Sequence, residues 1–301
     1  MTPDWSVEPF ELPGVFKHTL TVESDSAEGS WNVSVALPPP GVQKEFGPGP
    51  YPALYVMDGL FTFVTAMQIT RTISTFSLGQ LAPVVVVGIT PATDDLEVLL
   101  AQRNRDLTPS TAERPGPAGT TQFGTGGASA MLELLTGVMV PYLESAYPLD
   151  PGDRGLAGMS LGGLFVCWTL VAAPQGFRRF LAVSPSLWWD DQILLDESRM
   201  PSIAGTVRHV YLAVGELEDD PTRSWPVPPD DLLEAAAGID MVADLAGFTE
   251  RLHGESSIDL RSEVIADEQH STIWPAAFTR GLVHLYRKAS PRLVRGRSHL
   301  S

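Results

Sequence analysis

The sequence has few of the features that would place a protein in a membrane, in a disulfide-stabilised scaffold or on nucleic acid. It contains one cysteine among 301 residues, which excludes an intrachain disulfide. No apolar run approaches the roughly 20 residues that a spanning helix needs. Lysine and arginine number 20 against 36 acidic residues, and the net charge of -16 argues against tracking a phosphate backbone. We therefore expect a cytoplasmic protein without membrane or nucleic-acid partners.

Signatures of cofactor sites are missing as well. The sequence has no His-Glu-x-x-His, no pair of histidines at ligand spacing, no Walker loop and no Gly-x-Gly-x-x-Gly. It therefore predicts no metal, nucleotide or dinucleotide cofactor. Residues 1–14 contain no basic residue and no sustained apolar run, so we interpret them as an N-terminal extension and not as a secretion signal. Residues 15–287 are predicted to form one domain, followed by a basic tail at 288–301.

Short apolar runs alternate with helix-like segments along most of the chain. Residues 15–22 and 31–37 predict an antiparallel hairpin, and 83–89 are β-branched on both faces, as in a buried parallel strand. Further strands are predicted at 53–57, before Ser160, and at 180–183, 207–214 and 257–265. Helices are predicted at 128–147, after Ser160, at 231–253 and over Trp274 to Leu285, and Pro141 should kink or split the first of them. This order predicts an α/β-hydrolase fold: a mostly parallel sheet flanked by helices on both faces.

A candidate nucleophile follows one of these apolar runs. Gly158, Ser160 and Gly162 form a Gly-x-Ser-x-Gly pattern between a predicted strand and a helix start. This pattern is typical of the nucleophile elbow of α/β-hydrolases, in which small residues two places to either side let the serine occupy a strained turn. In a chain with 27 glycines the pattern also arises by chance, so the rest of the site must support it.

A serine hydroxyl is a weak nucleophile and needs a base, which in turn needs a carboxylate to orient it. In this fold the chain order is serine, acid, histidine. Among the six histidines, His270 alone lies in a turn just after a predicted strand, and it is the predicted base. Four carboxylates follow the strand before it. We choose Glu218 as the acid, with Glu216 and Asp219 as open alternatives.

Two backbone N–H groups are expected to stabilise the oxyanion that forms when an ester carbonyl is attacked. One should come from Leu161, the residue after the nucleophile. The other should come from the loop after the strand that ends at Met57, where Asp58-Gly59 forms a turn and Leu60 is the predicted donor. An ordinary surface turn is the alternative interpretation of Asp58-Gly59.

Five stretches resemble those of the esterase family that contains the trilactone siderophore esterases (enterobactin and bacillibactin hydrolases), feruloyl esterases and mycolyltransferases. Their order is kept over about residues 15–287. The stretches are Tyr55-Val56-Met57-Asp58-Gly59, Arg103-Asn104-Arg105-Asp106-Leu107-Thr108-Pro109, Gly158-Met159-Ser160-Leu161-Gly162-Gly163-Leu164, Ser184-Pro185-Ser186-Leu187-Trp188-Trp189, and His270 with Trp274-Pro275. The second and fourth most resemble the siderophore-esterase branch.

The resemblance implies roles for individual residues. It implies that Ser160 is the nucleophile and His270 the base, and that Leu60 and Leu161 form the oxyanion hole. It also places Glu218 where the family usually has its acid, although some siderophore esterases resemble a Ser/His dyad with no clear acid. Arg103 and Arg105 become candidates for contacting an anionic catecholate, or for pairing with Asp106 or another carboxylate. Of Trp188 and Trp189 we expect one in the core and one beside the serine.

The predicted activity is that of a serine esterase working through an acyl-enzyme. Siderophore-type trilactones are the preferred small-molecule substrates. The alternatives are a general carboxylesterase, a feruloyl-type esterase or an acyltransferase on hydrophobic esters, and a non-catalytic binding module on the same fold. Two proline-rich segments, 108–127 and 218–230, are expected either over the active site or as surface loops. The single Cys167 is expected in the core.

Overall fold

The computed structural model describes residues 11–23, 28–112, 122–196 and 207–288, which form an eight-stranded sheet with helices on both faces. The strand order is β1-β2-β4-β3-β5-β6-β7-β8. The strands are β1 (Val15–Glu23), β2 (Glu28–Ala36), β3 (Tyr51–Met57), β4 (Val85–Pro91), β5 (Leu149–Met159), β6 (Arg179–Val183), β7 (Arg208–Gly215) and β8 (Ile258–Ile265). Strand β2 pairs antiparallel with β1 and β4, and β3 to β8 run parallel. The predicted opening hairpin and parallel sheet are confirmed.

The helices of the described residues cover the sheet in two layers. They are α1 (Pro40–Phe46), α2 (Gly59–Phe76), α3 (Leu96–Leu107), α4 (Ala128–Leu134), α5 (Val140–Ala146), α6 (Leu161–Ala172), the single turn α7 (Trp189–Gln192), α8 (Asp230–Ala235), α9 (Met241–His253) and α10 (Trp274–Tyr286). Alternate residues of β3 enter two separate cores: Tyr55 packs in the core that contains α6 and α9, and Val56 in the core that contains α2 and α10. Burial on both faces explains the uninterrupted apolar strands.

Of two helix predictions, one differs from the structure and the other, the interruption near Pro141, agrees with it. The helix predicted over 231–253 is two helices, α8 and α9. Gly238, between them, has a φ of +83°, which a continuing helix cannot contain. The predicted helix over 128–147 is interrupted by a π-helical turn, Leu135–Met139, just before Pro141. The wider turn accommodates a proline that lacks an N–H and crowds the carbonyl four residues earlier.

The ends of the chain lie largely outside the described residues. This holds for 1–10 of the predicted extension and 289–301 of the predicted tail, so the domain boundaries stay predictions. Cys167 is fully buried in α6, as expected. Within the described ranges, no helix combines the length and apolar character needed to cross a membrane.

The topology gathers several chain segments at one edge of the sheet. Because β3 and β5 to β8 are parallel, the residues that follow their carboxyl ends meet at this edge. These residues are Asp58 after β3, Ser160 after β5, Ser184 after β6, Glu218 after β7 and His270 after β8. Crevices at the carboxyl ends of parallel strands are where ligands bind in open α/β sheets.

Close packing of α10 on the sheet at Gly281 gives a test of the fold. A Cβ at Gly281 would lie 2.7 Å from Cδ1 of Leu181 and 2.7 Å from Cδ1 of Tyr211. We expect Gly281→Ala to lower the free energy of unfolding by about 1–3 kcal/mol, because these side chains must move. Gly137→Ala is the matched control, since a Cβ there meets nothing within 4 Å. It should be neutral or stabilising by up to about 1 kcal/mol. Urea unfolding measures both, and equal losses would contradict this account.

Candidate active site

Ser160 occupies a strained turn between β5 and α6. Its φ of 59° and ψ of −124° are rare for a residue with a side chain, and such conformations cost on the order of 1–3 kcal/mol. The surrounding backbone holds the turn, because Ser160 N–H donates to the Val183 carbonyl at 3.0 Å. A Cβ at Gly158 would lie 2.4 Å from the backbone of Gly162, so the turn requires glycine there. The predicted elbow therefore has the geometry that exposes a serine hydroxyl.

His270 lies in the turn after β8, and its imidazole contacts Glu218. The distance from His270 Nδ1 to Glu218 Oε2 is 2.6 Å. Glu218 is 6% exposed, whereas the His270 side chain is 42% exposed. A carboxylate at Nδ1 assigns the proton to that nitrogen and leaves Nε2 free to accept one. The imidazole is thus oriented on its buried side and open on the other.

The second oxygen of Glu218 is also held. Oε1 accepts a hydrogen bond from Ser184 Oγ at 2.6 Å and another from the Gly215 N–H at 2.8 Å. Ser184 is fully buried and has a φ of 43°. Sequence reasoning missed this role of Ser184, and the only signal for it was its place in Ser-Pro-Ser, directly after a predicted strand. Both oxygens of this buried carboxylate therefore have hydrogen-bond partners.

The two alternative acids point elsewhere. Glu216 is exposed, and its Oε2 accepts from the Asp267 N–H at 3.1 Å. Asp219 forms a salt bridge with Arg223 at 2.6 Å. The geometry therefore brings Glu218 to the imidazole and directs Glu216 and Asp219 away from it.

Ser160 and His270 line the same cavity of about 430 Å³. The nearest side-chain partner of Ser160 Oγ in the described residues is Ser186 Oγ, at 3.5 Å. In ligand-free enzymes the hydrogen bond between nucleophile and base is often long and tightens when substrate binds. The cavity wall is mostly apolar and includes Leu100, Trp188, Pro221, Ala236, Ile239 and Met241.

Two helices begin at the edge of the sheet that holds the serine, and of the two predicted donors Leu161 lines the cavity whereas Leu60 does not line its described part. Leu161 is the first residue of α6 and Leu60 the second of α2, and N–H groups in the first turn of a helix have no partner within it. Asp58, which precedes α2, has a φ of 58°, and a Cβ at Gly162 would lie 3.0 Å from its Oδ2. Both predicted donors thus belong to helix starts at the same edge of the sheet.

The other predicted binding residues divide between the cavity and the protein interior. Arg103 lines the cavity and also donates from Nε to Asp58 Oδ1 at 2.7 Å. Arg105 donates from Nε to Asp106 Oδ1 at 2.7 Å and does not line the described part of the cavity. Trp188 lines the cavity, and Trp189 is fully buried. One tryptophan therefore lies in the cavity beside the serine and the other in the core, as expected.

The two proline-rich segments differ in whether their described residues line the cavity. Pro221 and Ser224, from the second segment, line the cavity. In the first segment, Ser110 Oγ donates to Asp190 Oδ2 at 2.7 Å, and residues 113–121 lie outside the described residues.

Among the described residues, no group of three or more His, Cys, Asp or Glu side chains is arranged to hold a metal. Burial raises the pKa of the Cys167 thiol, so this sulfur stays protonated and out of reach.

Comparisons with known proteins agree with this geometry. A family model described as Putative esterase matches residues 24–283. The siderophore triacetylfusarinine C esterase of Aspergillus fumigatus is 28% identical over 295 residues, covering 92% of this chain and 95% of that protein. The ferri-bacillibactin esterase BesA of Bacillus subtilis is 25% identical over 295 residues, covering 95% and 94%.

A solved structure shows the same fold. The siderophore hydrolase EstB of Aspergillus nidulans superposes with a TM-score of 0.75 at 24% identity, covering 93% of this chain and 98% of that chain. The elbow, the histidine after β8 and a family match over most of the sequence lead to one conclusion: the chain belongs to the Putative esterase family and is an ester hydrolase.

Proposed function

We propose that Ser160, His270 and Glu218 form the catalytic triad of a serine esterase that hydrolyses siderophore-type trilactones. The observation that carries the proposal is the 2.6 Å contact between His270 and a buried Glu218, at a cavity that also contains the elbow serine. A base oriented in this way, beside a strained serine, is the arrangement that acyl transfer requires.

Acylation follows from this arrangement. Ser160 Oγ attacks the carbonyl carbon of an ester while His270 Nε2 takes the hydroxyl proton, and Glu218 stabilises the imidazolium that forms. The negative charge on the carbonyl oxygen is received by the N–H groups of Leu60 and Leu161, a contact that typically contributes about 2.7–4 kcal/mol per donor. The bond to the leaving alcohol then breaks, and His270 passes its proton to that alcohol.

Deacylation repeats these steps with water. His270 Nε2 removes a proton from a water molecule, whose oxygen attacks the acyl carbon, and the proton returns to Ser160 as the acid leaves. In a trilactone the three ring esters are equivalent targets, so successive turnovers give linear trimer, dimer and monomer.

Two relatives that each align over more than nine-tenths of this chain support the trilactone assignment. One is a triacetylfusarinine C esterase and the other a ferri-bacillibactin esterase. A cavity of about 430 Å³ accommodates one arm of such a substrate.

The second candidate is a general carboxylesterase, feruloyl-type esterase or acyltransferase acting on hydrophobic or aromatic esters. The apolar wall that includes Trp188 favours it. The cytoplasmic location stays a prediction, which cell fractionation would test.

The nucleophile assignment is tested with a fluorophosphonate probe. We expect the probe to attach to Ser160, and Ser160→Ala to lose labelling and at least about a thousandfold in kcat, because the attacking atom is gone. Ser186→Ala is the control, since it removes the nearest neighbouring hydroxyl and leaves Ser160 in place. Mass spectrometry locates the label. Labelling of a different residue would contradict the proposal.

The acid assignment is tested by substitution at the triad carboxylate and at its neighbours. Glu218→Gln should lower kcat by about a hundredfold or more, because the amide orients the wrong imidazole tautomer. Glu216→Gln and Asp219→Asn change the same charge nearby and should leave kcat within about twofold. Ser184→Ala should lower kcat by about tenfold with KM little changed, since it removes one of the bonds that hold Glu218. Equal effects of all four substitutions would refute this assignment.

The substrate class is tested by a hydrolysis screen. We expect kcat/KM to be highest for siderophore trilactones, lower for feruloyl esters and lowest for simple acyl esters, because relatives aligned over more than nine-tenths of this chain are siderophore esterases. Product analysis by chromatography follows the stepwise ring opening. The highest kcat/KM for a simple acyl or feruloyl ester would favour the second candidate.

A further inference from the structure

The charges around the cavity have a consequence for substrate choice. Resting on the proposed function, we infer that the site selects uncharged esters, such as an uncharged ferric trihydroxamate trilactone, over polyanionic ones such as a ferric tris-catecholate. The charges that decide this selection are those of Arg103, of its partner Asp58, and of the acidic residues on or next to the cavity wall.

Arg103 is the cation that lines the described part of the cavity, and its charge is already matched. Its Nε lies 2.7 Å from Asp58 Oδ1, with the arginine side chain 13% exposed and the aspartate 6% exposed. A partly buried pair of this geometry is screened little by solvent. An anion entering the cavity would therefore meet a neutral pair, with no free positive charge at this position.

Arg105 does not supply the missing positive charge. Its guanidinium contacts Asp106 at 2.7 Å, and Asp106 also accepts a hydrogen bond from Trp31 Nε1 at 2.8 Å. These residues lie between α3 and β2, and none of them lines the described part of the cavity. Both arginines that an anionic substrate would need are therefore committed to carboxylates of the protein.

The remaining charges near the cavity are mostly negative. Glu218 itself lines the cavity. Asp220 directly precedes the lining residue Pro221, and Asp240 separates the lining residues Ile239 and Met241. Asp219, in the same loop, is matched by Arg223 at 2.6 Å. With a formal net charge of -16 over the whole chain, the field at the cavity entrance repels anions.

The two kinds of ferric trilactone differ strongly in charge. Three hydroxamates each carry one negative charge, which a ferric ion cancels, whereas three catecholates carry two each and leave the ferric complex trianionic. Moving an anion into an apolar cavity without an unpaired cation carries a desolvation cost that no contact offsets. The uncharged complex avoids both this cost and the repulsion.

The first experiment compares substrates matched except for charge. The pair 4-nitrophenyl hexanoate and the 4-nitrophenyl monoester of adipate differ by a terminal carboxylate, and ferric triacetylfusarinine C and ferric enterobactin represent the two chelate classes. We expect kcat/KM to be about tenfold or more higher for the uncharged member of each pair. Raising NaCl from about 20 mM to about 500 mM should increase the rate on the anions and leave the rate on the uncharged substrates unchanged.

The second experiment changes the charge next to Arg103. Asp58→Asn keeps an oxygen that can accept from Arg103 and a residue type that tolerates a positive φ. It should raise the ratio of anionic to uncharged turnover by about threefold to tenfold. Asp153→Asn is the matched control. It removes an arginine-paired carboxylate, 2.6 Å from Arg179, at the opposite edge of the sheet, and should leave the ratio unchanged.

The outcomes separate this inference from the proposed function. Equal or faster turnover of the anionic substrates, a rate on them that falls with added salt, or the same ratio change in both variants would overturn the charge preference. Discrimination within the 4-nitrophenyl pair, with no hydrolysis of either trilactone, would uphold the preference and remove the trilactone assignment.

Discussion

The buried carboxylate of Glu218 is the interaction on which the proposed active site depends. It ties together the ends of three neighbouring strands, because Oε2 contacts His270 after β8 while Oε1 accepts from Ser184 after β6 and from Gly215 at the end of β7. A charge this deeply buried is tolerated only when both oxygens are satisfied. The same hydrogen bonds fix the position of the carboxylate and, through it, the orientation of the imidazole over the sheet edge.

Backbone strain is concentrated at the same edge. Asp58, Ser160 and Ser184 follow β3, β5 and β6, and all three have positive φ values, between 43° and 59°. Each such residue costs on the order of 1–3 kcal/mol and persists only where its surroundings determine it. Strands β3 and β6 are almost completely buried, as is the stretch of β5 from Gly155 to Gly158. The packing of the sheet therefore stabilises the strained turns at its edge.

The sequence allowed the parts of the site that depend on local patterns to be predicted. The elbow and His270 were accessible because a turn after a strand has a recognisable composition. For the acid the sequence favoured Glu218 but left Glu216 and Asp219 open, because Glu216 and Glu218 lie in one short 3₁₀ turn that Asp219 follows, and the rotation of that turn decides which side chain faces inward. The pairing of Arg103 with Asp58 joins residues 45 positions apart and leaves no local pattern. The apolar repeat of Met241, Leu245, Phe248 and Leu252 begins after Gly238 and lies in α9 alone, so it did not support extending the helix back to Asp231.

The wall of the cavity and the chemistry of the cavity come from different parts of the chain. Five lining residues lie in one continuous segment, which runs from the loop after Glu218 to the first residue of α9: Pro221, Ser224, Ala236, Ile239 and Met241. None of them contacts the imidazole or the serine by hydrogen bond in the described structure. Trp225, within this segment, is hydrogen-bonded through its N–H and its carbonyl to Gln269, the neighbour of His270. Exchange of the segment, by recombination in evolution or by grafting in the laboratory, would therefore alter acyl recognition without rebuilding the hydrolytic apparatus as long as these two bonds are kept.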